Sequence, residues 1–245
     1  MTPARVELAG VRKRFGRLEV LRGVDACIEP GRITAIVGPN AAGKTTLIKM
    51  MLGLVRPDPG SRVSVDGIAV NGDPSYRQRI GYMPQAAHFP DQLTGREVLQ
   101  LISGLRGEGA AKDEELIARF QLEPVLDRPV RTLSGGTRQK LNAGVAFLFR
   151  PALLILDEPT AGLDPVAAGI LKDKVLRAPT EGATVVLTSH LMSEVEELAQ
   201  DLLFLLDGSV AFRGTVEALL QQSNERRLER AIGRWLARSG AGGPP

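Results

Sequence analysis

The chain has 245 residues, 43% hydrophobic but only 4% aromatic, so aliphatic side chains must build the core of one large domain or two small ones. Its single cysteine, Cys27, excludes an intrachain disulfide, which fits a reducing compartment. The net charge of +3 comes from residues 223–245, where five arginines outnumber two glutamates, so the rest of the chain has no basic excess that would indicate nucleic acid.

The N-terminus leads directly into an alternation typical of a strand, and we expect no secretory signal. No apolar run approaches the roughly 18 residues that a membrane-spanning helix needs. The longest runs, such as 202–206, have the length of a strand. We therefore expect a soluble protein that cannot form a transmembrane path by itself.

The first part of the chain has the pattern of an α/β fold. Alternation over 6–11 opens a β-rich segment, and 31–38 predicts a buried strand that ends in a glycine-rich loop. A helix is predicted over 45–54, and the prolines and glycine of 57–60 end it. Residues 63–67 then predict a strand and a turn.

From about 86 to 150 the pattern becomes helical. Thr94 and Glu97 have the spacing of a capping box, followed by apolar residues at helical spacing. Two further helices are predicted over 113–120 and 137–149. Strands then return over 153–156, 184–188 and 202–206, with helices over 165–176 and 192–199 between them. This alternation predicts a parallel sheet, into which a helical subdomain is inserted.

A phosphate-binding loop is indicated between the predicted strand 31–38 and helix 45–54. Gly38 and Gly43 allow the backbone to wrap closely around a phosphate, and the following helix N-terminus supplies positive potential. Lys44 should reach the β- and γ-phosphates, and the Thr45 hydroxyl should bind Mg²⁺. The strand–loop–helix context disfavours a glycine-rich turn without a ligand. The ATP-binding candidates in this loop are Gly38, Pro39, Asn40, Ala41, Ala42, Gly43, Lys44, Thr45 and Thr46.

Two further motifs follow the loop. Residues 133–140 read Leu-Ser-Gly-Gly-Thr-Arg-Gln-Lys, and an aliphatic strand over 153–156 ends in Asp157, Glu158 and Pro159. Ligands bind at the carboxyl edge of open α/β sheets, so the two carboxylates are candidates for chemistry and not ordinary surface acids.

These three motifs in this order resemble the nucleotide-binding subunit of an ATP-binding cassette (ABC) protein, over about Val6 to Leu220. The resemblance implies a P-loop NTPase core with a mostly parallel sheet, an N-terminal antiparallel β subdomain and an inserted α-helical subdomain. We expect the nucleotide-binding domain over 1–222, with the helical subdomain at about 86–150. A basic amphipathic helix and a disordered tail are expected over 223–245.

The resemblance also implies roles for individual residues. Asp157 would support Mg²⁺, and Glu158 would activate or orient the attacking water. Gln85 would sense Mg²⁺ and water, and His190 would contact the γ-phosphate. Phe15 would stack on adenine. A structural histidine and an ordinary packed phenylalanine are the alternatives for the last two positions.

The Ser134, Gly135 and Gly136 segment would face the nucleotide of a second copy of the chain in a head-to-tail dimer. Asp164 would lie at the dimer interface. Three residues depart from the family pattern. Ala41 stands where glycine is usual. ATP binding should survive if this position has a negative φ, and ATP affinity should fall if it needs a positive φ. We expect little effect from Thr137 and Lys140.

The C-terminal segment has apolar residues at helical spacing, with arginines between them: Leu228, Ile232, Trp235 and Leu236. Two interpretations are open. The helix packs on its own domain or in the dimer, which we favour, or it contacts anionic lipid or a permease. Residues 239–245 are expected to be disordered.

The function expected from the resemblance is a Mg²⁺-dependent ATPase subunit that energises a separate integral membrane permease, with the ATPase at the inner face of the cell membrane. The short length of the chain and the sequence runs at 161–165 and 93–97 resemble those of ABC exporters whose permease is a separate polypeptide. Residues 81–97 also resemble ATPases that serve copper-site maturation of nitrous oxide reductase. A soluble single-cassette ATPase, such as a cluster-assembly factor, is the alternative. No nucleic-acid partner is expected, because the long coiled coil of DNA-repair cassettes is absent from the pattern.

Overall fold

The computed structural model describes residues 5–106 and 111–238. The chain divides into two compact units, one formed by residues 1–77 together with 186–245 and the other by residues 78–185. We call them the first and the second unit. The tail predicted to be disordered, residues 239–245, lies outside the described residues.

The first unit contains a four-stranded antiparallel sheet with the order β2-β1-β4-β5. Its strands are β1 (Val6–Phe15), β2 (Leu18–Ile28), β4 (Arg62–Val65) and β5 (Ile68–Ala69). In the β1–β2 hairpin Val6 lies opposite Ile28, and Phe15 lies opposite Leu18. Val6 and Leu8 are buried while Glu7 between them is exposed, as the period of two requires for a sheet with one covered face. The predicted antiparallel N-terminal sheet is confirmed.

The first unit also contains a mixed sheet segment around the buried strand β3 (Ile33–Val37). Strand β9 (Asp201–Leu206) pairs parallel to β3, with Thr34 opposite Asp201, and β10 (Ser209–Thr215) pairs antiparallel to β9. Every residue of β3 is buried, which is typical of a strand covered on both faces. The helices of this unit are α1 (Lys44–Met51), α6 (Met192–Leu198), α7 (Val216–Ser223) and α8 (Leu228–Arg238).

Helix α8 packs on its own unit. Leu228 and Ala231 are buried, and α8 contacts α6 and α7. The Trp235 ring meets Phe212 of β10 edge-on, with 5.8 Å between centroids. The contacts of Leu228, Ala231 and Trp235 are those of a terminal helix that covers its own domain, the interpretation we favoured. No helix in the described ranges has both the length and the apolar character needed to cross a bilayer.

In its described residues, the second unit combines a pair of parallel strands with four α-helices. Strands β6 (Ile80–Met83) and β7 (Leu153–Asp157) pair in register from Ile80–Leu153 to Met83–Leu156. Its helices are α2 (Gly95–Arg106), α3 (Glu115–Arg119), α4 (Gly135–Phe147) and α5 (Pro165–Arg177). Strand β8 (Thr184–Thr188) spans the point in the sequence where the second unit ends.

The predicted capping box at the start of α2 is confirmed. The Thr94 amide donates to the Glu97 carboxylate over 2.7 Å, and the Glu97 amide donates to the Thr94 hydroxyl over 3.1 Å. Several helix boundaries differ from the prediction. Helix α1 ends at Met51 and not at residue 54, and α5 and α6 each end one residue away from the predicted position. Helix α4 begins two residues early because Ser134 caps it, and α3 is shorter because Asp113 lies outside it. Strand β10 and helix α7 were not predicted.

A buried lysine links α3 to α5 in the second unit. The Lys174 side chain is only 3% exposed, and its ammonium group donates to Asp113 (2.8 Å), Glu115 (2.9 Å) and Glu181 (3.4 Å). Arg177 also pairs with Glu115. Burial lowers the pKa of Lys174, but the hydrogen bonds to Asp113 and Glu115 outweigh burial and leave it raised. We call Lys174 and its three carboxylates the Lys174 cluster.

Replacing Lys174 by Met should destabilise the protein by about 3 kcal/mol, because it leaves the half-buried Asp113 carboxylate without its main partner. The measurement is the free energy of unfolding in urea. Lys112→Met is the control, since Lys112 is exposed beside the same cluster and should change stability little. Equal stability of the two variants would contradict a structural role for the Lys174 cluster.

The same cluster predicts a pH dependence. Burial raises the pKa of Glu115, but the hydrogen bonds and charges of Lys174 and Arg177 outweigh it and lower this pKa from 4.5 to about 2. A lowered folded-state pKa contributes stability above pH 4.5, and that contribution disappears as the pH falls toward about 2. The stability difference between wild type and Glu115→Gln should therefore shrink over this range. For Glu114→Gln, an exposed neighbour outside the cluster, the difference should stay small throughout.

Candidate functional site

The glycines of the phosphate loop are required by backbone conformation and by space. Gly38 follows β3, and a Cβ atom there would lie 2.2 Å from the carbonyl oxygen of Leu205. Gly43 has φ 102°, and a Cβ atom there would lie 2.5 Å from Cδ2 of Leu21. Backbone oxygens and buried side chains do not yield to such contacts, so both positions exclude larger residues. The loop therefore keeps the close backbone path that phosphate binding needs.

Helix α1 begins in a way that favours an anion. Its N-cap residue, Gly43, provides no side-chain cap, and the first turn contains no acidic residue. The first amide groups of a helix have no partner within the helix, and the helix dipole makes this end positive. The start of α1 thus has the chemistry of a phosphate site.

Lys44 lies over the loop that precedes it. Its side chain is buried, and the ammonium group donates to the carbonyl oxygens of Gly38 (2.7 Å) and Pro39 (2.9 Å). These bonds hold the positive charge above the loop. Thr45, the next residue, is exposed at the helix start. The structure therefore places an ammonium group and a hydroxyl at the positive end of α1.

Ala41 has φ 63°, a left-handed conformation that favours glycine. An L-residue with a Cβ atom costs about 1 kcal/mol more than glycine in this conformation. Ala41 thus has the positive φ for which we expect a lower affinity for ATP than glycine would give.

Two further site predictions in the first unit fall on exposed residues. Phe15 ends β1 and is 50% exposed, so it is not an ordinary core phenylalanine, and the Lys13 ammonium lies 5.3 Å from its ring centroid. His190 is exposed directly after β8. The buried Ser189 fixes its turn, because its hydroxyl accepts from the Leu191 amide and donates to the Glu194 carboxylate. Neither residue is used to fill the core.

The second unit brings together two predicted catalytic residues. Strand β7 ends at Asp157, which is buried, and Glu158 follows with φ 51°. The Gln85 side-chain amide donates to the Glu158 carboxylate over 2.8 Å. Burial and the Asp157 charge raise the pKa of Tyr82 on the neighbouring strand β6. The carboxylates thus lie at the carboxyl edge of the strands, where the sequence placed them.

Ser134 caps helix α4 by accepting from the Thr137 amide at 3.1 Å, and the two hydroxyl oxygens are 2.8 Å apart. Lys140 forms an ion pair with Asp164 at 2.7 Å, and Asp164 in turn caps α5. The Lys140 hydrogen bond lowers the pKa of Asp164. We expected little effect from Thr137 and Lys140, yet both make specific contacts. The Lys140–Asp164 pair links the helix after the two glycines to the loop before α5.

Two residues with a place in this arrangement were missed from the sequence. Gln139 and Asn142 lie on α4 and are buried, 5% and 3% exposed. Their side-chain amides donate to the carbonyl oxygens of Gln85 (3.4 Å) and Pro84 (2.9 Å). The signal available in the sequence was a pair of amides three residues apart on a helix whose other buried residues are Leu, Ala, Gly and Phe.

Residues 21–161 match the sequence model of the ABC transporter family, which is more than half of the chain. This chain belongs to the ABC transporter family. It is 35% identical to the daunorubicin resistance ATP-binding protein DrrA3 of Streptomyces coeruleorubidus, over 94% of this chain and 74% of that protein. It is 34% identical to the Nod factor export ATP-binding protein I of Burkholderia orbicola, over 90% and 74%.

A solved structure of an ATP-binding subunit of an ABC transporter superposes with a TM-score of 0.88 at 29% identity, over 94% of this chain and 98% of the other. A dimeric ATP-binding cassette bound to ADP and Pi shares the fold, with a TM-score of 0.77 at 24% identity, over 86% and 98%. The predicted P-loop NTPase fold is confirmed. The chain is an ATP-binding subunit of the ABC type and an ATPase.

Replacing Ala41 by Gly should raise the affinity for ATP up to about five-fold. Without ATP a loop with Ala41 can relax out of the left-handed conformation, whereas the bound loop has to keep it and its strain. Isothermal titration with ATP would measure the change. Ala42→Gly is the matched control, since Ala42 is not among the positive-φ residues and glycine there relieves no strain. An equal gain in both variants, or none in Ala41→Gly, would contradict this account.

Proposed function

We propose that this ABC ATPase binds Mg-ATP and, as two copies in a head-to-tail dimer, energises export by a separate membrane permease. The observation that carries the catalytic part is the Gln85–Glu158 hydrogen bond at the end of β7. It presents a carboxylate in a fixed orientation beside the buried Asp157. Such a carboxylate suits an ATPase, in which positioning of water and stabilisation of charge supply most of the catalysis.

The residues proposed for Mg²⁺ fit its preference for hard oxygen ligands: the Thr45 hydroxyl, the Asp157 carboxylate and the Gln85 amide oxygen. The described residues contain no group of three or more His, Cys, Asp or Glu side chains that could hold a metal. Mg²⁺ is commonly held by one or two protein ligands together with substrate phosphates, so this sparse donor set is suitable. The bound ion would neutralise charge on the β- and γ-phosphates.

In the proposed mechanism each residue has a simple role. The Lys44 ammonium and the first amides of α1 bind the phosphates, and Phe15 stacks on adenine. His190 contacts the γ-phosphate. Glu158 orients the attacking water while Gln85 holds the carboxylate. Backbone groups of the other loop residues surround the phosphates, from Asn40 to Ala42 and at Thr46. Pro39 has no amide hydrogen and shapes the loop instead.

The second copy would complete the site. Gly135 and Gly136 lie at the start of α4, directly after the cap residue Ser134. This positive helix end would face the γ-phosphate held by the other copy. Asp164 would lie at the same interface, already paired with Lys140. Because the γ-phosphate would then be bound from both copies, ATP would favour the closed dimer.

Export is proposed because two relatives are named for drug resistance and for Nod factor export. We place the ATPase at the inner face of the cell membrane, bound to its permease. The resemblance of residues 81–97 keeps the copper-processing branch as a second candidate subfamily.

A pull-down of the tagged chain from native membranes in mild detergent tests the transporter proposal. A polytopic membrane protein in fixed ratio supports it, and recovery of the chain alone supports the soluble single-cassette alternative.

Glu158→Gln should bind ATP, hydrolyse it at least about a hundred-fold more slowly and accumulate as a closed dimer, because the phosphate contacts remain while water is no longer oriented. Light scattering after gel filtration in Mg-ATP measures the dimer. Lys44→Ala is the contrasting variant, and it should bind ATP weakly and stay monomeric. A monomeric Glu158→Gln in ATP, or near-normal hydrolysis by Lys44→Ala, would contradict the proposal.

A further inference from the structure

We propose that Asn142 and Gln139 are positioning residues that hold Gln85, and through it Glu158, in the orientation used for hydrolysis. This inference rests on the proposed function of Glu158. It assigns to the interior of helix α4 a part in catalysis, in addition to the residues at its N-terminus.

The pairing of β6 with β7 ends before Pro84. The register of β6 and β7 stops at Met83 and Leu156, and Pro84 has no amide hydrogen with which to continue a ladder. The carbonyl oxygens of Pro84 and Gln85 therefore need partners other than the neighbouring strand. Side chains of α4 supply them.

The side-chain amides of Asn142 and Gln139 form one connected set of hydrogen bonds. Asn142 Nδ2 donates to the carbonyl oxygen of Pro84 at 2.9 Å and to Oε1 of Gln139 at 3.4 Å. Gln139 Nε2 then donates to the carbonyl oxygen of Gln85 at 3.4 Å. Buried amides are costly unless they are hydrogen-bonded, so the buried pair has a strong preference for this arrangement. We call Gln139 and Asn142 the amide clamp.

The amide clamp is connected to the Glu158 carboxylate through Gln85. Gln85 is exposed, so its side chain has little packing to fix it. Its backbone is fixed by the amide clamp, and its side chain donates to Glu158 at 2.8 Å. Glu158 itself stands in a left-handed conformation with φ 51°. The orientation of the Glu158 carboxylate therefore depends on a chain of three contacts that begins on α4.

Helix α4 carries both the amide clamp and the segment that would meet the second copy. Gln139 and Asn142 follow Ser134 by five and eight residues, or about 7 and 12 Å along the helix. A displacement of the Ser134 end of α4 would move the clamp with it. The amide clamp would thus make the Gln85–Glu158 pair sensitive to the position of α4.

The test is a double-mutant cycle on hydrolysis with Asn142→Leu and Gln85→Ala. Asn142→Leu keeps the size but cannot donate, and it should lower kcat about ten-fold while KM for ATP changes by less than about two-fold. If Asn142 acts through Gln85, it should lower kcat no further in the Gln85→Ala background. Additive losses, or an unchanged kcat in Asn142→Leu, would overturn the proposal.

Two further variants guard against a general effect on folding. Ser223→Ala removes another buried hydrogen bond, to the carbonyl oxygen of Leu219 and outside the site, and should leave kcat unchanged. If Asn142→Leu does not fold, Gln139→Met removes the other donor of the clamp and gives the same cycle with Gln85→Ala.

Hydrogen–deuterium exchange separates failure of the clamp from failure of the proposed function. The amide hydrogens of residues 85–88 should exchange faster in Asn142→Leu than in wild type, with α5 unchanged. Absence of hydrolysis by the wild-type protein would remove the proposed function, and the exchange rates would still decide whether the clamp holds Gln85. Unchanged exchange of 85–88 would overturn the clamp itself.

Discussion

The start of helix α1 is the constraint on which the nucleotide chemistry depends. Other helices here, such as α4 and α5, begin with a Ser134 or Asp164 side chain that accepts from a backbone amide. Helix α1 begins with Gly43, which offers no such acceptor. No side chain caps this end of α1, so its positive polarity favours an anionic ligand such as phosphate. The protein gives up a cap worth about 1 kcal/mol to keep that end of the helix available.

The loop before α1 must leave room for the ligand that it surrounds. Gly38 and Gly43 keep the path close because neither has room for a Cβ atom. Lys44 offsets the carbonyl oxygens that point into the loop by donating to two of them. These contacts also explain why a buried lysine is tolerated, since its charge is met by carbonyl dipoles at one end of the loop. The ammonium group is thus held in place before any phosphate binds.

Much of the fold was predictable because hydrophobic period and turn residues set it locally. The buried strands β3 and β7 and the capping box of α2 follow from sequence pattern alone. Strand β10 was missed because it is only partly buried, so its apolar residues alternate weakly. Helix α7 was missed although Thr215 caps it, a signal that was present in the sequence. The Lys174 cluster and the amide clamp depend on residues far apart in sequence. Periodicity contains no information on such pairings.

The positions of the motifs were predictable, but their contacts were not. Thr137 and Lys140 looked like neutral replacements when considered as single letters in a motif. In the fold, Thr137 shares the cap of α4 with Ser134, and Lys140 reaches Asp164. A residue without a side-chain hydroxyl at 137 would still give its backbone amide to Ser134 but would lose the contact between hydroxyls. Each replacement therefore acts through its own partner, and its effect has to be judged with that partner.

Ala41 and Glu158 are both non-glycine residues in the left-handed region, but the backbone strain has a different consequence at each position. At Ala41 the side chain is an exposed methyl group, which has no polar atom to offer a ligand. At Glu158 the same conformation turns the carboxylate toward Gln85, and a glycine there would remove the functional group itself. The turn after Glu158 is held by a bond from the Ala161 amide to the Glu158 carbonyl oxygen, at 3.1 Å. Strain that is fixed in this way on both sides is typical of a residue kept for its chemistry.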